Sequence, residues 1–298
     1  MKIFDCTNYF NEDLIYGLRQ EILDKSVDKF VVAESLYSHS GQRKKLNFDI
    51  NKYPKFKNKI HYIVVENEPQ DLIKLDGLPY DYAQGMKRLN SLKRIKQQYD
   101  VLREGIEDAQ DNDLILLSDC DEIPDLENLD IVSSKQIIIF KQLLFYYKFD
   151  LHHDAMTWYG SKGCLKKDLL TFTWLRNIKN KQYKPWRIDT FFSKNKYTNV
   201  KIIEGGGWHF TNIKSPEDIF MKLSNYGEHN EFEMSDIDIT KMSKLVKEKK
   251  VYFNHTADKT DSNKYSYGYE LVKINKDLLP KFLVDNYSIF KDWFEYKL

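Results

Sequence analysis

A run of four branched apolar residues, followed closely by acids, limits the folds that this chain can adopt. Residues 114–117 read Leu-Ile-Leu-Leu, which is typical of a strand buried on both faces in a parallel sheet. Asp119, Asp121 and Glu122 come directly after this run. Pro124 then prevents the sheet from continuing. Because open α/β sheets bind ligands at the carboxyl ends of their strands, we expect a ligand site here.

The two aspartates after this strand are candidate metal ligands. In an extended backbone, side chains two positions apart point the same way, so we expect Asp119 and Asp121 to lie side by side. Neighbouring carboxylates repel each other unless a cation lies between them, and their oxygens suit Mn²⁺ or Mg²⁺. A polar turn has the same residue types, so Asp-x-Asp alone is weak evidence. After a buried strand we favour the metal site.

Composition excludes several classes of protein. Lys and Arg total 46 against 45 for Asp and Glu, so the chain lacks the excess of positive charge that is typical of nucleic-acid-binding proteins. Three widely spaced cysteines predict neither a disulfide framework nor a zinc site and indicate a reducing compartment. The N-terminus lacks the apolar core of a signal peptide, and no apolar run reaches the roughly 20 residues that span a bilayer. We therefore expect a soluble, cytoplasmic protein without a transmembrane segment.

Strand and helix patterns alternate along the first half of the chain. Strands are predicted at 30–33, 60–65 and 137–140, and a helical period extends from 86 to 109. With a short strand and helix at the N-terminus, the order is strand, helix, strand, strand, helix, strand, strand. This order predicts an α/β fold with a mostly parallel sheet.

The pattern becomes less regular after residue 145, and no repeat or low-complexity linker separates domains. Ser215 followed by Pro216 and two acids is a strong helix start, and the residues beyond it read as mainly helical. We predict one domain over 1–298, divided into 1–145, 146–214 and a helical C-terminal extension at 215–298.

A second polar cluster follows the strand predicted at 30–33. Glu34 and Ser35 end that strand, where their side chains would be placed to hydrogen-bond a nucleotide. His39 follows in a loop that becomes basic at 43–45. A solvated loop explains the same residues, and for His39 alone it is at least as good an interpretation.

A third cluster surrounds three consecutive glycines at 205–207. Such a run is typical of a tight turn or of backbone that approaches a ligand closely. Trp208 is a candidate for stacking on a sugar, and His209 is a candidate for completing the ligand set of a metal. A buried tryptophan and a satisfied core histidine are the alternatives. Because Trp208 and His209 directly follow three glycines, we favour a functional role for both residues.

These motifs occur in an order that resembles glycosyltransferase family 17 over about residues 2–235. The resemblance is carried by Phe4-Asp5-Cys6, Phe10-Asn11-Glu12, residues 28–35, His39-Ser40-Gly41, residues 118–124, residues 206–210, Lys222 and His229-Asn230-Glu231. The best-known members of that family are β-1,4-mannosyl-glycoprotein 4-β-N-acetylglucosaminyltransferases.

The resemblance implies a GT-A type, Rossmann-like sheet, a UDP-GlcNAc-like donor, a divalent metal and inversion at the anomeric carbon. By the same resemblance, Asp119 and Asp121 would hold the metal that bridges the donor diphosphate. Glu34 and Ser35 would lie near the nucleoside, with His39 and Trp208 also on the donor side. The part at 1–145 would then bind the nucleotide-sugar, and the part at 146–214 would face an oligosaccharide acceptor.

An inverting displacement needs a carboxylate base opposite the leaving group, and the sequence offers Glu122 and Glu204 without choosing between them. Two other classes use similar residues. A metal-dependent phosphotransferase or nuclease would turn over a phosphoester without a sugar acceptor. A non-catalytic carbohydrate-binding module would keep its affinity for glycans after chelation of metal.

Overall fold

The computed structural model describes residues 1–297 except 128, 131, 182, 185, 191, 228, 234, 236 and 258–263, and it does not describe the side chains of Asn230 and Glu231. Within these residues, ten strands form one mixed sheet, with helices packed against it. The predicted α/β class is confirmed.

The first half of the chain builds a parallel half-sheet. Its strands are β1 (Ile3–Tyr9), β2 (Lys29–Ser35), β3 (Ile60–Val65) and β4 (Leu114–Ser118), and its helices are α1 (Asp13–Leu23) and α2 (Tyr80–Asp100). The strands run parallel in the order β3-β2-β1-β4, so their carboxyl ends meet at one edge. The direction of chain progression changes between β1 and β4. Such a change opens the crevice in which α/β sheets bind ligands.

The sheet continues across residue 145 through β5 (Glu122–Pro124), β6 (Ile137–Tyr146), β7 (Leu151–Leu165), β8 (Val200–Ile203) and β9 (Gly207–Thr211). From β4 the order is β7-β6-β9-β5, with β7 antiparallel to both β4 and β6. Only three residues separate β4 from β5 along the chain, yet β5 pairs with β9. The strands between them therefore curve round and bring β9 back towards the end of β4.

The remainder is short helices with three two-residue strands. Its elements are α3 (Phe172–Asn177), α4 (Pro216–Asn225), α5 (His229–Glu233), α6 (Ile239–Lys247), β10 (Lys250–Val251), β11 (Tyr269–Glu270), β12 (Val272–Lys273), α7 (Lys281–Asp285) and α8 (Tyr287–Phe290). The predicted start of α4 is confirmed, because the Ser215 hydroxyl accepts a hydrogen bond from the backbone N–H of Asp218 at 3.1 Å. No helix in the described part of the chain has the length and apolar character needed to cross a bilayer.

The core lies on both faces of the parallel half-sheet. Phe4, Val31 and Leu117 pack with residues of α2 on one face, while Phe30 and Leu116 belong to a second cluster on the other. Every residue of β4 is buried, which confirms the prediction made from its apolar run. A rigid, doubly covered strand thus delivers the chain to the acidic segment at its carboxyl end.

Candidate active site

The acidic segment after β4 is a turn and not an extended strand. The backbone N–H of Glu122 donates to the carbonyl of Asp119 at 3.0 Å and closes the turn. Glu122 is then in register with His209 on β9. The prediction that an extended backbone points Asp119 and Asp121 the same way is therefore wrong. The chain has to turn here because its next strand pairs with β9 and does not prolong β4.

Asp119 lies at a junction of α2 and α3. The Tyr99 hydroxyl donates a hydrogen bond to its carboxylate, and the Arg176 guanidinium lies 3.9 Å from the other oxygen. The Arg176 guanidinium also lies over the Tyr99 ring, 5.0 Å from the ring centroid, where the ring face attracts its positive charge. The side chain of Asp119 remains 44% exposed, so it is accessible to a ligand.

Glu122 is the buried carboxyl group of this segment. One carboxylate oxygen accepts a hydrogen bond from the Trp158 indole N–H at 2.7 Å, and the other accepts one from the Asp119 backbone N–H at 3.0 Å. Burial, and then the negative charge of Asp119, raise the pKa of Glu122 to about 7. A carboxyl group with this pKa exchanges a proton near neutral pH, as an acid–base catalyst must.

A pocket opens beside these groups at the carboxyl end of β4. Its charged and aromatic lining includes Tyr99, Asp119, Glu122, Trp158, Lys162 and Arg176. The Lys162 ammonium donates to the carbonyls of Arg176 and Ile178 at 2.5 and 2.7 Å, which ties β7 to the end of α3. Burial lowers the pKa of Lys162 to about 8. The pocket thus brings two basic side chains together with two carboxyl groups.

A buried ion pair fixes the backbone of Glu122. Arg19 on α1 and Asp5 on β1 have fully buried side chains and are joined at 2.7 Å from Nε to Oδ2. The same guanidinium donates to the Glu122 carbonyl, and the Ser161 hydroxyl also donates to it, at 3.3 Å. Sequence reasoning missed Arg19, although a charged residue directly after Leu18 in the apolar stripe of α1 was an available signal.

Asp121 is engaged by different partners from those of Asp119. Lys222 on α4 lies 2.9 Å from one oxygen, and Nε2 of His209 lies 3.4 Å from the other. Burial would raise the pKa of Asp121, but Lys222 and His209 hold it well below its usual range. The predicted ligand set of Asp119, Asp121 and His209 is thus divided between two sets of contacts. Across the residues that the structure describes, no three Asp, Glu, His or Cys side chains form a cluster able to hold a metal.

Glu204 and Trp208 lie outside the pocket lining. The Glu204 side chain is 71% exposed and pairs with Lys141 at 2.7 Å. The Trp208 indole donates to the Leu278 carbonyl at 2.7 Å and packs on the main core cluster. The glycines before it have a packing role, since a Cβ on Gly207 would lie 2.2 Å from the Ile123 carbonyl oxygen. Gly206 and Gly207 thus allow close approach of neighbouring strands, where the sequence predicted close approach of backbone to a ligand.

Of the residues predicted to lie near the nucleoside, Glu34 and Ser35 end β2 and His39 follows it in the loop. The fully buried Glu34 carboxylate accepts hydrogen bonds from the backbone of Asn47 at 2.8 Å and of Phe48 at 3.0 Å. The Ser35 hydroxyl accepts from a backbone N–H at 3.0 Å. His39 is partly exposed, and its Nε2 lies 2.9 Å from Oε1 of Gln98 on α2.

One family model, described as Glycosyltransferase family 17, matches residues 1–176, more than half of the 298-residue chain. The chain belongs to glycosyltransferase family 17. Membership of the family makes the chain a glycosyltransferase in general terms, and the matched range includes every residue that lines the pocket beside Glu122. A comparison with curated proteins gave no match.

Proposed function

We propose that this family 17 chain is an inverting, metal-dependent glycosyltransferase with a GT-A type sheet. The proposed donor is a UDP-sugar, with GlcNAc as the first candidate, and the acceptor is an oligosaccharide. One observation carries the proposal: the buried Glu122 carboxyl, with a pKa of about 7, lines a pocket with the accessible Asp119 and the cationic Arg176. Family membership favours this reaction over phosphoester hydrolysis and over simple glycan binding.

Glu122 is the proposed general base. An acceptor hydroxyl gives its proton to the Glu122 carboxylate as its oxygen forms a bond to the anomeric carbon. The bond from that carbon to the UDP oxygen breaks on the opposite face, and its electron pair leaves with the diphosphate. A base with a pKa near the operating pH combines a large ionised fraction with useful proton affinity. Glu204 is a weaker candidate, because it is exposed and paired outside the pocket.

Two features support Glu122 in this role. Trp158 and the Asp119 backbone N–H hold both carboxylate oxygens, so the base has one defined orientation. Arg19 holds the carbonyl of the same residue. Such preorganisation reduces the entropic cost of reaching a reactive geometry.

The diphosphate would meet positive charge on the α3 side of the pocket. Arg176 stacks on Tyr99 and has its guanidinium edge near Asp119, and Lys162 lines the same pocket. Arginine recognises phosphate oxygens through paired hydrogen bonds. We assign these two side chains to the leaving diphosphate.

A divalent cation, Mn²⁺ or Mg²⁺, belongs to this proposal, with Asp119 as its protein ligand. Asp119 fits this role because its carboxylate is accessible, whereas Lys222 already neutralises Asp121. Such cations are commonly held by one or two carboxylates together with substrate phosphates, so a cluster of three protein side chains is not required. When bound, the cation would offset the charge that develops on the leaving diphosphate.

We place the nucleoside along the carboxyl ends of β1 and β2. Both polar atoms of the Asn8 carboxamide on β1 are buried and have no hydrogen-bond partner within the described residues. Leaving such an amide unpaired costs about 1–3 kcal/mol, so a ligand that pairs with it would be favoured. His39 and Gln98 lie at the end of the neighbouring strand β2, where Gln98 reaches the carbonyl of Ala33. Sequence reasoning did not single out Asn8.

The proposal is tested with a panel of UDP-sugars and Mn²⁺. We expect UDP-GlcNAc to bind most tightly, and UDP release to require both Mn²⁺ and an oligosaccharide acceptor. Glu122→Gln should keep donor binding and lose transfer, because the amide cannot accept the acceptor proton. Failure of every UDP-sugar to bind would overturn the donor assignment, and undiminished transfer by Glu122→Gln would overturn the base.

A further inference from the structure

A second, basic pocket lies at the same edge of the sheet, and the proposed reaction does not use it. It is formed by the loop after β2, the segment after β1 and helix α4, and its polar lining includes Asn11, Arg43, Lys45, Asn47 and Asn225. The two pockets share no lining residue, and the lining of the pocket beside Glu122 includes no residue of α4. Met221 and Asn225 of α4 line the basic pocket, whereas Lys222 of the same helix pairs with Asp121.

The loop that carries the basic residues is held rigidly. Its two ends approach each other, with the backbone N–H of Ser38 donating to Gln42 at 2.8 Å and that of Lys44 donating to Leu36 at 2.8 Å. The buried Glu34 carboxylate binds the Lys44 ammonium and the backbone of Asn47. Fixed backbone on both sides of Lys45 means that little conformational entropy is lost when a ligand binds.

The three basic side chains of this pocket differ in whether a carboxylate neutralises them. Lys44 is neutralised by Glu34, but Arg43 and Lys45 are exposed and have no carboxylate partner among the described residues. No acidic side chain occurs in the lining, whose other polar groups are neutral amides and a hydroxyl. Two cations in a concave site attract an anion more strongly than two on an open surface.

We propose that this basic pocket binds a phosphate group. The Arg43 guanidinium matches two phosphate oxygens, the Lys45 ammonium supplies a second positive charge, and the carboxamides of Asn11 and Asn47 offer further donors. Two uncompensated cations balance the charge of a phosphate dianion, whereas a carboxylate would leave one of them unpaired. Because the proposed function assigns both donor phosphates to Arg176 and Lys162, this phosphate is carried by a phosphorylated acceptor.

The test measures binding directly and does not depend on glycosyl transfer. Inorganic phosphate is titrated into the ¹⁵N-labelled full chain, and the side-chain amide signals of Asn47 and Asn225 are followed. We expect both signals to shift saturably. In Arg43→Gln/Lys45→Gln the dissociation constant should rise at least about tenfold, because the variant loses both charged hydrogen-bond donors.

The matched control is Lys276→Gln/Lys291→Gln, which removes the same charge from two exposed lysines outside the lining. This control should bind phosphate as the wild type does. Equal loss in both variants, or shifts that persist in Arg43→Gln/Lys45→Gln, would overturn the site. So would shifts confined to residues around Asp119.

A second titration identifies the source of the phosphate group. With saturating UDP present, inorganic phosphate should still shift Asn47 and Asn225, because the donor phosphates occupy the pocket beside Glu122. If those shifts persist with UDP bound, and glucose 6-phosphate reproduces them, the phosphate belongs to an acceptor. Loss of the shifts in the presence of UDP would place a donor phosphate here and overturn the acceptor assignment, and absence of a shift with all of these probes would refute the pocket itself.

Discussion

The indole N–H of Trp158 lies 2.7 Å from Oε1 of Glu122 and donates a hydrogen bond to it. The two residues belong to different strands of one sheet, Trp158 to β7 and Glu122 to the start of β5. A carboxylate that is buried but held by two donors can still ionise: burial and the charge of Asp119 raise the pKa of Glu122, and the hydrogen bonds oppose that rise. This balance determines the pH range in which the proposed base works.

Activity should therefore rise with pH through about 7, because only ionised Glu122 accepts a proton and its pKa is raised to about 7. Glu122→Gln should lower kcat by about 10²–10⁴, the usual contribution of a general base. Glu204→Gln is the control and should leave kcat and the pH profile unchanged. The measurement is the rate of UDP release across the neutral range. A flat profile in the wild type would exclude Glu122 as the base.

Urea unfolding tests the ionisation of Glu122 without a measurement of catalysis. The folded pKa of Glu122 lies above its ordinary value of 4.5, so the folded state binds more protons than the unfolded state between about 4.5 and 7. The Glu122 contribution to the free energy of unfolding should fall as pH rises through this window. Glu122→Gln should remove that fall.

Trp158→Phe should shift the pH profile upward. The phenyl ring keeps much of the apolar packing but removes the N–H that stabilises ionised Glu122, and the pKa of the carboxyl rises when that donor is lost. We expect reduced activity at neutral pH with recovery at higher pH. Trp174→Phe, which breaks an indole hydrogen bond outside the pocket lining, is the control. An unchanged midpoint in Trp158→Phe would contradict the assignment.

Asp121→Ala should destabilise the fold, because it leaves the Lys222 ammonium without its partner in a largely buried site. Removing one member of a buried pair commonly costs about 3–5 kcal/mol. Lys222→Met should cost a similar amount, and Asp121→Asn/Lys222→Met should recover most of the loss. Urea unfolding at neutral pH measures all three variants. A cost below about 1 kcal/mol for Asp121→Ala would match a surface pair and contradict this assignment.

Asp119 and Asp121 should differ in their effect on metal dependence. Chelation should abolish transfer, and Asp119→Asn should raise the Mn²⁺ concentration for half-maximal activity at least about tenfold, since the variant loses a charged ligand. Asp121→Asn should leave that concentration close to the wild-type value in whatever fraction of the protein folds. Electron paramagnetic resonance of Mn²⁺ in the presence of UDP measures the Mn²⁺ affinity of the two variants without turnover. A larger shift in Asp121→Asn would restore the ligand assignment made from sequence.

Local patterns were enough to predict the parallel half of the sheet. The apolar run at 114–117 is buried from end to end, and its carboxyl end carries the pocket, because a doubly covered strand requires continuous apolar residues. The helix start at Ser215 was likewise visible in adjacent residues. Both features depend on interactions within a few positions of the chain, which a sequence displays directly.

The composition of the site depends on distant pairings that no local pattern encodes. Trp158 reaches Glu122 only because β7 pairs with β4 and β6. Lys222 reaches Asp121 across 101 positions of the chain. The side-by-side placement of Asp119 and Asp121 failed for the same reason, since the turn between them is imposed by the pairing of β5 with β9.

The glycine run before β9 offers a direct test of the packing role that replaces the predicted ligand role. At Gly207, φ is +110° and a Cβ would lie 2.2 Å from the Ile123 carbonyl oxygen, whereas at Gly205, φ is +60° and a Cβ would meet open space. Gly205→Ala should cost about 1–2 kcal/mol, the usual penalty of a left-handed conformation. Gly207→Ala should cost clearly more, because the backbone of β5 has to move as well. Since β5 begins with Glu122, Gly207→Ala should also lower kcat in the fraction that folds, while Gly205→Ala should not. Equal free energies of unfolding for the two variants, measured in urea, would show that close strand packing does not require Gly207.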